Sequence, residues 1–210
     1  MLKNLSVTGL ALALATTAHI SDASAQGIAK GQYYAGGFVG GISFTNDLTD
    51  SPSAVSQLDR DDTGFIFGAV LGRGFANNLR GELEISKWSA DGSCAFKCKT
   101  SGSYNMDALQ ILGNLWLDIP LESSNLTPYV GGGIGYLDYS AETIVDDLEA
   151  SGMSYQVGGG VTIPVGGSAL IDIGYRYKSA NVEYDSGPAD TDLSETLSGN
   201  FLQIGVLFPF

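Results

Sequence analysis

The chain has 210 residues, and its 29 glycines beside 10 tyrosines and 9 phenylalanines favour strands and turns over helix interiors, so a helix-rich fold is not expected. With 44% hydrophobic and only 16% charged positions the composition is not that of a disordered chain, and the length suits one domain or at most two small ones. Ten Lys and Arg against 23 Asp and Glu give a formal charge of −13, the wrong sign for neutralising phosphates, so nucleic acid is not expected as a partner.

Residues 1–25 read as a signal peptide. Lys3 supplies the positive charge, an apolar stretch rich in Leu and Ala follows, and Ala23-Ser24-Ala25 offers the small residues a signal peptidase accepts, with cleavage between Ala25 and Gln26. The apolar stretch is shorter than the roughly 20 residues of a membrane-spanning helix and is interrupted by Ser6, Thr8 and Gly9. Cleavage removes Lys3, Asp22 and His19, the only histidine, so the net charge stays at −13 and the exported domain, 26–210, holds no imidazole.

Beyond Gln26 no run approaches the roughly 18 apolar residues that mark a membrane helix. Period-two alternation instead marks eight segments, at 33–44, 64–75, 80–88, 104–119, 128–139, 153–163, 169–178 and 197–210. In the first, Tyr33 and Tyr34 compete for the apolar face. The pattern is clearest late in the chain. Met153, Tyr155, Val157, Val161 and Ile163 oppose Ser154, Gln156, Gly158, Gly160 and Thr162, and Ile171, Ile173, Tyr175 and Tyr177 oppose Asp172, Gly174, Arg176 and Lys178. Leu202, Ile204, Val206, Phe208 and Phe210 likewise oppose Gln203 and Gly205.

Most of these segments exceed an ordinary soluble strand and match a tilted membrane-spanning one. Their connections alternate between long and short: a long stretch after the first segment, then Ala76-Asn77-Asn78; a long cysteine-containing stretch, then 121–126; 141–152, then Val165-Gly166-Gly167; and finally 180–195. A soluble eight-stranded barrel would turn its apolar face inward around a ligand, whereas a membrane barrel turns it outward to lipid. The loop asymmetry favours lipid, and so do aromatics near segment ends, Phe75, Trp88, Trp116, Tyr129, Tyr139, Tyr177, Phe208 and Phe210, which read as interfacial girdles. The expected fold is all-β, a closed antiparallel eight-stranded transmembrane β-barrel, because an open edge in hydrocarbon leaves backbone groups without partners at several kcal/mol each.

The stretches Asn77-Asn78-Leu79-Arg80-Gly81-Glu82-Leu83-Glu84 and Thr127-Pro128-Tyr129-Val130-Gly131-Gly132-Gly133-Ile134-Gly135-Tyr136, with the final segment, resemble the eight-stranded outer-membrane barrel family of Gram-negative bacteria, the OmpA-like, OmpX-like and opacity-protein group. The likeness covers nearly the whole exported chain. Gln203, Gly205, Phe208 and Phe210 match that family's C-terminal assembly signal. The resemblance implies recognition by periplasmic chaperones and the barrel-assembly machinery, and residence among outer-membrane lipid and lipopolysaccharide. No residue follows Phe210, so the peptidoglycan-binding domain of some OmpA-like proteins is not expected.

With Leu79, Leu83 and Ile85 facing outward, Arg80, Glu82, Glu84, Ser86 and Trp88 face inward, joined by Asn114, Trp116 and Asp118 and by Asp172, Arg176 and Lys178. The third and seventh strands of a closed eight-stranded sheet stand opposite each other across an interior only wide enough for side chains. Glu82 and Glu84 are therefore expected to meet Arg176 and Lys178 in a salt-bridged plug, since an unpaired buried charge costs several kcal/mol. The alternative is a narrow ion pathway lined by the same charges.

Enzyme chemistry finds little support. Glu82 and Glu84 lie about 7 Å apart along one strand face, within the broad range of glycosidase carboxylates, but nothing else points that way. Barrels of this kind that act on lipid A use histidine, and without one no Ser-His-acid triad forms. The glycine clusters 131–133 and 158–160 contain no GxGxxG or phosphate loop, and no cofactor is expected. Cys94 and Cys98, the only cysteines, lie in one long connection, and in an exported protein they are expected to form a disulfide. Acids crowd the long connections, among them Asp91, Glu142, Asp147, Glu149, Glu183 and Glu195, as a repulsive rim or as ligands for divalent cations shared with lipopolysaccharide phosphates. The expected role is structural, with loops presented for an unidentified surface partner; a small channel is the runner-up.

Overall fold

The computed structural model describes residues 28–44, 63–75, 78–94, 102–121, 124–142, 147–184 and 194–210. Eight strands follow in chain order: β1 Tyr33–Phe44, β2 Thr63–Gly74, β3 Leu79–Cys94, β4 Gly102–Asp118, β5 Thr127–Glu142, β6 Asp147–Val165, β7 Ala169–Tyr184 and β8 Ser194–Pro209. Each pairs antiparallel with the next, and β1 pairs with β8 from Tyr34 opposite Pro209 to Phe44 opposite Gly199, so the sheet closes as a barrel. Closure uses the last residue as well, because Tyr33 and Phe210 exchange both backbone hydrogen bonds, at 3.2 and 2.8 Å.

Side-chain parity is strict within the wall. On β4, Leu109, Ile111, Leu115 and Leu117 are exposed on the outer face, while Gln110, Leu112, Asn114 and Trp116 are buried inside. The competition between the two tyrosines is resolved by their surroundings. Tyr33 faces out and stacks on Phe210 at 6.3 Å, while Tyr34 is buried and donates to Glu82 at 2.9 Å.

Two sequence expectations need correction. The girdle reading of Trp88, Trp116, Tyr129 and Tyr139 fails: all four are buried in the lumen, where alternation already places Trp88 and Trp116, because strand parity and not aromatic type sets direction. Among the described residues the exposed aromatics include Tyr33, Phe75, Phe208 and Phe210 near the tight turns, and Phe65, Phe67, Tyr136, Tyr155 and Tyr175 farther toward the long connections. The strands are also longer than the alternation suggests. Asp91, Cys94, Glu142, Asp147, Glu149, Glu183 and Glu195, assigned above to connections, belong to strands. Beyond the lipid both faces of a hairpin meet water, so ladder hydrogen bonds persist after the hydrophobic pattern has ended. Lys87, Asp107 and Asp138 mark that change on the outer face, and Lys87 pairs with Asp107 at 3.2 Å.

The connections 75–78, 119–126 and 166–168 share one end of the barrel. The last is tight because Gly166 and Gly167 adopt φ of 65° and 84°, which a side chain would disfavour.

Candidate functional site in the barrel lumen

The polar residues of β3, β4, β6 and β7 converge inside the wall. At the centre, buried Lys178 lies 2.5 Å from Glu84 Oε1, so the two residues placed on opposite strands by sequence reasoning meet across the axis. Glu84 accepts three further hydrogen bonds, from Ser86 Oγ at 3.2 Å, Asn114 Nδ2 at 3.1 Å and Gln156 Nε2 at 2.9 Å. Lys178 also donates to Gln110 Oε1 at 3.0 Å, and Gln110 in turn donates to Ser154 Oγ. Desolvating such a pair is tolerable only when the remaining lone pairs and protons find partners: Glu84 has four donors, while Lys178 has two acceptors and lies beside the Trp88 and Phe201 rings, and Gln156 Oε1 is left without a hydrogen-bond partner.

Closer to the tight turns lies a second group. Arg80 Nε donates to Asp118 Oδ1 at 2.9 Å, and Arg80 Nη1 stands 3.9 Å from Glu82 Oε2. Glu82 accepts from Tyr34 OH at 2.9 Å and from Asn114 Nδ2 and Trp116 Nε1, each at 3.1 Å. Asn114 therefore joins the groups, donating to both glutamates while its Oδ1 accepts from Gln156 at 2.7 Å.

Arg176 departs from expectation. Among the described residues no carboxylate lies within ion-pair distance of it. Its guanidinium instead donates to Tyr129 OH at 2.7 Å and to the carbonyls of Gly159 and Tyr175, each at 3.1 Å, and lies 4.3 Å from the centre of the Trp116 ring. Glu82 is already engaged by neighbours on β1, β3 and β4, so the cation is satisfied by carbonyls and π faces. Tyr129 has room because Gly160 and Gly174 carry no side chain: a Cβ there would approach its hydroxyl to 2.6 and 2.7 Å. Asp172 is buried but keeps Oδ1 without a hydrogen-bond partner, as do Arg176 Nε and Gln203 Oε1. These three residues border an enclosed void of about 10 Å³, room for roughly one water molecule.

Buried apolar side chains flank this belt on both sides. Toward the long connections lie Ile42, Ile66, Trp88, Leu137, Val182 and Phe201, with the Trp88 and Phe201 rings 4.9 Å apart beside Lys178; toward the tight turns lie Tyr34, Leu170 and Leu207. Sequence reasoning named the charges and Asn114 but missed Tyr34, Gln110, Tyr129, Ser154 and Gln156 as participants. Parity was the available signal: Gln110 stands four residues before Asn114 on the same face.

Of the assembly-signal residues, Gln203 and Gly205 face the lumen while Phe208 and Phe210 face outward. Ala25, Gln26 and Cys98 lie outside the described residues, as do most of the acids in the connections; Cys94 ends β3.

No curated protein sequence matches the chain. Solved structures share its architecture. Neisserial surface protein A superposes with a TM-score of 0.61 at 17% identity, covering 85% of this chain and 97% of its own. OprG of Pseudomonas aeruginosa gives 0.53 at 16%, with 88% and 98% covered, and AlkL, solved in lipid bilayers, gives 0.51 at 14%, with 88% and 92% covered. At these identities the likeness concerns the fold alone. A family model described as the outer membrane protein beta-barrel domain matches residues 8–210, nearly the entire chain. An all-strand closed wall, apolar outside and polar within, is what that family builds, and this chain belongs to it.

Proposed function

We propose that this outer-membrane barrel does not conduct and does not catalyse: its lumen is a side-chain plug that braces the wall, and its role is to occupy the envelope and present its long connections to a surface partner. One observation carries the reading. Charged residues from β3, β4 and β7 are buried, the Glu84–Lys178 and Arg80–Asp118 pairs are engaged, and the void beside them holds about 10 Å³. In an eight-stranded barrel the interior is filled by side chains, which leaves no continuous water path. No histidine lies among residues 26–210, and Glu84, Glu82 and Asp118 are held by cations, amides and ring donors instead of facing a cleft.

Residues 1–25 serve as the Sec signal in this reading, and the terminal Gln203, Gly205, Phe208 and Phe210 engage the assembly machinery. A Cys94–Cys98 disulfide restrains the β3–β4 hairpin, and the acidic rim faces the phosphates of lipopolysaccharide through shared divalent cations.

Planar-bilayer recording tests the plug. Wild type stays closed, and Glu84→Ala, which removes the partner of Lys178, opens a small conductance. An open wild type contradicts the proposal. A narrow ion pathway is the second reading, favoured by the unpartnered Asp172, Arg176 and Gln203 atoms around the void; steady wild-type conductance would support it.

A further inference from the structure

The outer surface of the barrel is not evenly filled. A groove of about 630 Å³ runs over β1, walled on one side by Phe65 and Phe67 of β2 and on the other by Leu202 and Ile204 of β8, with Val39 and Gly41 along its floor. Register sets these walls: Gly41 lies opposite both Phe65 and Leu202, and Val39 opposite both Phe67 and Ile204. The two phenylalanine rings stack at 6.3 Å, 17° from parallel, and form a flat bank.

The fold does not demand the hollow. A Cβ built at Gly41 meets no atom within 4 Å, and at Gly37, also outward on β1, it makes only an ordinary 3.5 Å contact with the Gly68 carbonyl. The inward Gly40 differs, since a Cβ there would lie 3.0 Å from Gln203 Cα. Close strand packing thus explains Gly40 but leaves Gly41 unexplained, although larger apolar residues fill the outward positions on both sides of it.

Where the groove lies identifies its occupant. It is continuous with the lipid-facing band that the family presents to the membrane, and its lining is apolar apart from Gln203, whose side chain turns to the lumen. It also lies in the half of β1 toward the long connections, which in this family face outside the cell. A second copy fits poorly: a two-fold contact through this face would set hollow against hollow and fill neither. A flexible linear tail fills a furrow lengthwise at little strain. We propose that the groove seats one saturated acyl chain of an outer-leaflet glycolipid of the lipid A type, held longer than the lipid around it.

Native mass spectrometry tests this on the full-length exported protein in mild detergent, supplied with purified lipid A or with phosphatidylethanolamine of matched chain length. The wild type is expected to retain a single lipid A under conditions where Gly41→Leu, which fills the floor, retains about tenfold less. Gly113→Leu is the control, since Gly113 faces outward on β4 with its nearest atom 3.9 Å from a built Cβ, and it should behave as wild type. Heat-modifiable gel mobility shows that each variant is folded, and Gly41→Val replaces the leucine variant if that one fails. Equal retention by all three proteins overturns the proposal, as does phosphatidylethanolamine held as firmly as lipid A, or a wild-type dimer that Gly41→Leu dissociates.

Discussion

Lys178 and Glu84 show why a buried pair must be judged with its surroundings. Each is almost wholly enclosed, and each is bonded beyond the other, to Gln110 or to Ser86, Asn114 and Gln156. Removing one member leaves the other charge buried and unpaired, which costs about 3–5 kcal/mol, whereas replacing both by shapes of similar volume is near neutral. Glu84→Ala should therefore lower the unfolding free energy in urea by about that amount, while Glu84→Gln combined with Lys178→Met should recover most of it; equal losses would show that the pair is not the unit that matters. The Lys87–Asp107 pair on the outer face is the internal comparison. It is about half exposed, at 42% and 50%, so Asp107→Asn should cost less than about 1 kcal/mol in the same titration.

At the scale of the strand, alternation made the fold legible and also limited the reading. Ile171 to Lys178 on β7 could be assigned face by face because lipid lies on one side and the packed lumen on the other, and a slip of one residue would reverse both. The ends were not legible, since the requirement for apolar residues stops at the membrane while pairing continues through Glu142, Asp147 and Glu183. Aromatics misled for a related reason. Trp116 and Tyr129 look like girdle residues by type, yet their parity places them inside, where they clamp Arg176, and that contact depends on three strands at once. The Gly160 and Gly41 positions turn this into a measurement. Gly160→Ala drives a methyl onto the Ile173 carbonyl and toward the Tyr129 hydroxyl, 2.6 Å from a built Cβ, and should cost about 1–3 kcal/mol as overpacking. Gly41→Ala meets open space and should stay within about 0.5 kcal/mol of wild type. Equal effects in urea titrations would mean that the neighbouring strand and Tyr129 do not crowd Gly160 as described.

For the whole molecule, closure and filling act together. The β1–β8 seam leaves no edge, so every strand is held on both sides, and the lumen network ties β1, β3, β4, β6 and β7 across the axis. Such a barrel should resist SDS until boiled, and the unheated protein should run at a different gel mobility from the boiled one; identical mobility would contradict closure. The central claim, lipid outside and a packed lumen inside, is tested most directly by the two tryptophans, since Trp88 and Trp116 are the only ones in the chain and both lie inside the wall. In vesicles of brominated phospholipid with acrylamide in the buffer, wild-type fluorescence should be protected from both quenchers, while Ile173→Trp, on the outer face, should be quenched strongly by the brominated chains. Wild-type emission quenched by lipid as strongly as that of the variant would turn the wall inside out, and quenching by acrylamide would open the lumen to water; either result contradicts the account.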